Sequence, residues 1–111
     1  DEYVSRVIDN TKRLQQLVEA DADFELATAP QSNIICFRHI RPGMDTEALN
    51  QHNLAIRTAI RNEGSYYIVK TNLRGKVYLR CTLTNPFTAR EHLEGLLATI
   101  KATAQQLNSG L

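Results

Sequence analysis

The chain has 111 residues, the length of one domain built around one core. Apolar residues at 42% and charged residues at 23% exclude disorder, collagen and a disulfide-dense scaffold. Thirteen Lys and Arg against twelve Asp and Glu leave a net charge of +1, so electrostatics make no case for nucleic acid or an anionic membrane as partner.

The first segment places Tyr3, Val4, Val7, Ile8, Leu14, Leu17 and Val18 at helical spacings, which predicts an amphipathic helix over about 2–19. Phe24 to Thr28 is a short strand, closed by Pro30, and residues 33–40 form a strand apolar enough to be central. Arg41-Pro42-Gly43 stops it. Asp45 then N-caps a helix over about 46–62, with Leu49, Ile56, Ala59 and Ile60 inward and Gly64 as its left-handed cap. Strands at 66–71 and 76–83 follow, joined by Asn72-Leu73-Arg74-Gly75 as a four-residue hairpin connection. Asn85-Pro86 ends the second, and Thr88-Ala-Arg-Glu91 has the pattern of a capping box. The last helix carries Leu93, Leu96, Leu97, Ile100, Ala104 and Leu107 on one stripe, and Asn108 to Leu111 should fray. This order predicts an α+β fold, a small antiparallel sheet of three to four strands with helices packed on one face.

Cys36 and Cys81 each lie inside an apolar run, where burial as small hydrophobes is expected rather than a disulfide. His39, His52 and His92 fall on different elements without metal-ligand spacing, so no metal site is expected. No phosphate-binding glycine loop or nucleophile elbow is present. The chemistry concentrates in the second hairpin strand. Alternation there puts Val77, Leu79, Cys81 and Leu83 on one face and Lys76, Tyr78, Arg80 and Thr82 on the other. Arg80 therefore points away from the core at mid-strand. It is either simply solvated, with or without a neighbouring acid as partner, or a site for a carboxylate or phosphate, whose geometry the guanidinium fork matches.

Several stretches are similar to the carboxy-terminal small domain of pyridoxal-phosphate-dependent group II amino-acid decarboxylases. They are Phe24-Glu25-Leu26, the run from Pro30 through Cys36-Phe37-Arg38, Gly64 before a strand, and the run from Gly75 through Arg80 to Asn85-Pro86-Phe87-Thr88. Together they cover about residues 14–107 in order, and the Asn85-Pro86-Phe87-Thr88 ending most resembles bacterial L-2,4-diaminobutyrate decarboxylases. The resemblance implies the small domain of a fold-type I enzyme, packed against a large domain of the same chain and assembled as a homodimer. It implies pyridoxal 5'-phosphate as the complete enzyme's cofactor, an amino acid as substrate, and Arg80 as the residue that binds the substrate carboxylate. It also implies what is missing, because the family's cofactor lysine follows a histidine and none of Lys12, Lys70, Lys76 or Lys101 does.

Residues 1–111 are thus expected to be a single domain and a fragment of a longer enzyme, inactive alone and holding neither cofactor nor metal. The opening Asp1-Glu2-Tyr3, without Met or a signal-peptide profile, agrees with that expectation and with a cytosolic protein. A stand-alone α+β module that binds a small anion or a partner protein is the alternative. An expressed fragment should expose a broad apolar patch where the sheet, with Tyr66 or Tyr67 and Tyr78, and the first helix lose their covering partner.

Overall fold

The structure, a computed structural model, describes residues 2–30, 32–63, 68–83 and 88–109. Its elements are α1 (Glu2–Ala20), β1 (Phe24–Leu26), β2 (Ile34–His39), α2 (Thr46–Glu63), β3 (Ile68–Leu73), β4 (Lys76–Thr82) and α3 (Arg90–Ser109). The four strands form one antiparallel sheet in the order β1-β2-β4-β3. The chain leaves β2, crosses through α2 to the far edge, and returns by the β3–β4 hairpin into the gap beside β2.

Period-two alternation decides which face is covered. Ile35 and Phe37 of β2 and Leu79 and Cys81 of β4 share one side. They form a cluster with Leu14 and Val18 of α1, Ile56 and Ile60 of α2, and Leu93, Leu97 and Ile100 of α3. Each such side chain contributes roughly 1.5–3 kcal/mol by leaving water. Phe24 adds an edge-on contact to Phe37, with ring centroids 5.7 Å apart. Helices cover one side and the other stays open, the predicted α+β layering.

The joints differ from the sequence expectations in informative ways. Asp45 caps α2 as predicted, its Oδ1 accepting the Ala48 N–H at 2.8 Å. The hairpin is tighter than predicted: β3 runs to Leu73, and Arg74 and Gly75 alone make the turn with φ of 55° and 78°. Both central residues are left-handed, as a two-residue turn that follows the strand twist requires. The predicted capping box does not form. Ala89 donates its N–H to His92 Nδ1 at 2.9 Å, so an imidazole two residues into α3 does the work expected of Thr88 and Glu91. The last helix also continues to Ser109, past the point where fraying was expected. The Gly64 cap, Tyr66, Tyr67 and the Asn85-Pro86-Phe87 break lie outside the described residues, as do Gly110 and Leu111.

Two asparagines of α2 complete the sheet. Asn53, fully buried, accepts the His39 N–H and donates to the His39 carbonyl, both at 2.9 Å. Asn50 accepts the Val77 N–H at 2.8 Å and donates to the Gly75 carbonyl at 2.9 Å. Backbone groups that leave the β2–β4 ladder thus find partners on the helix, as buried main-chain polar groups must.

Candidate functional site on the open sheet face

The register places the residues of the uncovered face in rows. Glu25 of β1 stands opposite Arg38 of β2, Cys36 of β2 opposite Arg80 of β4, and Arg80 opposite Val69 of β3. Tyr78 and Thr82 flank Arg80 along its own strand, on the same face.

The two arginines of this face are in opposite states. Arg38 is only 5% exposed. Its Nε donates to Glu25 Oε1 at 2.9 Å, and its guanidinium carbon lies 5.4 Å from the centre of the Tyr78 ring. One of its terminal nitrogens, Nη1, is buried without a hydrogen-bond partner. Arg80 is exposed, and it has no hydrogen-bonded or ion-paired partner among the described residues. Arg80 pairs with no acid among the described residues, Glu25 being bonded to Arg38, which leaves a solvated guanidinium or one that meets an external anion. Arg80 retains its full fork of donors for an external carboxylate or phosphate.

Beside it, the half-buried Cys36 thiol is pushed up by burial while the charge of Arg80 pulls the other way. Cys81 sits on the opposite face, buried, with its thiol pushed up to about 12 chiefly by desolvation. The two thiols are free, and the sheet between them keeps them from pairing. Tyr78 was expected to contribute to an exposed apolar patch. Instead it is 6% exposed beneath Arg38, and burial raises its hydroxyl above the ordinary range. The large apolar side chains left exposed among the described residues are Tyr3, Val4 and Leu73, so no broad patch crosses the sheet there.

Sequence spacing did not bring any two histidines together, but the fold does. His39 Nδ1 lies 3.0 Å from His52 Nε2, both rings buried between the end of β2 and α2. Desolvation first, and then the neighbouring His52, hold His39 down at about 4, with Asp23 opposing. Burial and then Arg41 lower His52. An open groove of about 350 Å³ beside them is lined by Asp23, His39, Arg41, Lys101 and Gln105 among others. Its cations are already engaged: Lys101 Nζ is 2.7 Å from Asp21 and 3.5 Å from Asp23, and Arg41 donates to the Ala104 carbonyl at 3.2 Å. Among the described residues no group of three or more His, Cys, Asp or Glu could hold a metal, and no helix is long and apolar enough to cross a membrane.

The lysines do not build a site for an aldehyde cofactor. Lys101 is committed to two aspartates, Lys12 and Lys70 are exposed on α1 and β3, and Lys76 shares the face of Arg80 but stands at the hairpin end of β4, four residues away. Among the described residues, none of these lysines stands in a buried pocket that would fit such a group.

No family model matches the chain. It is 29% identical over 105 residues to phenylacetaldehyde synthase of Arabidopsis thaliana, covering 95% of this chain and 21% of that protein. It is 30% identical over 108 residues to aromatic-L-amino-acid decarboxylase of Bacillus atrophaeus, covering 93% and 22%. The glutamate decarboxylase domain of a diaminobutyrate-pyruvate transaminase and L-2,4-diaminobutyrate decarboxylase from Vibrio parahaemolyticus superposes with a TM-score of 0.86 at 24% identity, over 94% of this chain and 22% of that one. This chain matches a carboxy-terminal part of the group II decarboxylases. The match spans about a fifth of the relatives' length, and the fold it occupies there is the four-stranded sheet with three helices described above. Both the aromatic and the diaminobutyrate branches of these decarboxylases appear among the proteins it is similar to. Arg38, part of the Cys36-Phe37-Arg38 run, and Tyr78 are the residues of this face whose burial the sequence did not reveal. The one available signal for Arg38 was its place opposite Glu25, which needs the β1–β2 register.

Proposed function

We propose that the chain is the small carboxy-terminal domain of a cytosolic, pyridoxal-phosphate-dependent amino-acid decarboxylase, and that Arg80 binds the substrate's α-carboxylate. The large domain of the same chain holds the cofactor and packs against this domain, and the complete enzyme is a homodimer. The observation that carries the reading is the state of Arg80: an exposed mid-strand guanidinium, unpaired among the described residues, on a face whose other arginine is neutralised. The similarity to decarboxylases supplies the substrate class. The part of this chain is to bind and orient. A carboxylate gripped by two parallel N–H donors is fixed in direction as well as position, and such fixing is where much of an enzyme's advantage arises.

The test is made in the full-length enzyme. Each charge-assisted bond is worth about 1.5–3 kcal/mol, and about 1.4 kcal/mol corresponds to tenfold. Arg80→Ala should therefore lower kcat/KM by roughly two orders of magnitude. The cofactor should stay bound, because no residue of this chain holds it. Near-normal kcat/KM in that variant would show that Arg80 has no carboxylate role.

A further inference from the structure

The strand residues of the open face include two arginines and a single carboxylate, Glu25. We propose that Arg38 is a positioning residue that sequesters Glu25 and so keeps Arg80 free for its anionic ligand. This inference rests on the carboxylate-binding role of Arg80.

Arg38 and Arg80 are diagonal neighbours, since Cys36 lies opposite Arg80 and Arg38 is two residues along the same strand. Such positions are about 7–8 Å apart. Glu25 is one strand further out, with its side chain 43% exposed and therefore able to swing. Two strand spacings together with a two-residue offset along β4 make roughly 12 Å, a gap that extended Glu and Arg side chains can close between them. A carboxylate tethered at that range competes at an effective concentration of roughly millimolar, no lower than an ordinary KM. Left alone, the face would pair Glu25 with Arg80 and occupy its own binding site.

Arg38 prevents this by being held from two sides. Its Nε is bonded to Glu25 at 2.9 Å and its guanidinium rests 5.4 Å from the Tyr78 ring centre. Its Nη1 is buried and has no hydrogen-bond partner among the described residues, so the Glu25 bond and the Tyr78 ring are what hold the guanidinium here. Tyr78 thus acts as the platform, Arg38 as the clamp and Glu25 as the ion removed from circulation.

In the full-length enzyme, Arg38→Gln should raise KM for the amino-acid substrate by about tenfold while kcat stays within about threefold, because the liberated Glu25 competes for Arg80. Adding Glu25→Gln should return KM to within about threefold of the parent. A merely structural role for Arg38 would not be reversed by removing Glu25. An unchanged KM in Arg38→Gln, or a raised KM that persists in the double variant, overturns the proposal. If Arg38→Gln does not fold, Arg38→Lys replaces it: the rise should be smaller, and Glu25→Gln should again cancel it. A rise that Glu25→Gln leaves in place is the overturning result there. Normal kcat/KM in Arg80→Ala would remove the underlying reading. A large loss in Arg80→Ala without the Arg38–Glu25 reversal would remove this inference alone.

Discussion

Arg38 and Arg80 share a face, a charge and nearly a place, yet one is locked and the other has no partner among the described residues. The difference is the neighbour across the strand: Glu25 for Arg38, Cys36 and Val69 for Arg80. Neither a thiol above its ordinary range nor a valine side chain competes for a guanidinium. Arg80→Lys in the complete enzyme keeps the charge but replaces a planar fork with a point charge. It is expected to recover part of the catalytic loss predicted for Arg80→Ala, read as kcat/KM, and full recovery would mean that charge alone matters there. Arg80's outward direction was legible in the sequence because a strand's period is two. Arg38 obeys the same alternation, but its state depends on a register between strands that no local pattern encodes.

At the scale of elements, α2 carries more than its hydrophobic stripe announced. Leu49, Ile56 and Ile60 face inward as predicted, but so do His52 and Asn53, polar residues whose burial the periodicity does not anticipate. They are tolerated because each meets a partner from β2, His39 in both cases. Such pairings join residues 13 and 14 apart in sequence, across an intervening loop, which is why spacing concealed them.

The histidine pair gives this joint a pH dependence. Both imidazoles bind protons less readily folded than unfolded, His39 at about 4 against 6.5. Protons therefore favour the unfolded chain, and the stabilisation present above about pH 6.5 is lost as pH falls towards 4. Asp23 facing His39 opposes this change, whereas Arg41 and Lys101 reinforce it. Asp21, whose carboxyl Lys101 lowers against the effect of burial, adds its own loss only below the ordinary carboxylate range. Urea midpoints should fall between pH 7 and pH 5 and fall less in the His39→Gln, His52→Gln double variant. A midpoint unchanged over that interval would refute the assignment.

The whole molecule is a sheet with helices packed on one side and none on the other among the described residues. Fold class, element order and the direction of Arg80 were readable because they follow from periodicity and turn chemistry. The tight Arg74-Gly75 turn, the His92 cap and the burial of Tyr78 were not, since each depends on a contact rather than a pattern. None of the four lysines follows a histidine, so the isolated chain mixed with pyridoxal phosphate should release no CO₂ from any amino acid. Borohydride treatment and mass spectrometry should find cofactor scattered over several lysines. Specific labelling of one lysine, with CO₂ release, would show that the chain is an enzyme by itself.

The asparagines of α2 also determine how the sheet keeps time. The amide protons of His39 and Val77 belong to β2 and β4 by sequence, but they are bonded to Asn53 and Asn50 on the helix. Native-state hydrogen exchange should find these two amides exchanging together, at the rate at which α2 lifts from the sheet, and out of step with neighbours bonded strand to strand. Their clock is the helix's, although their address is the sheet.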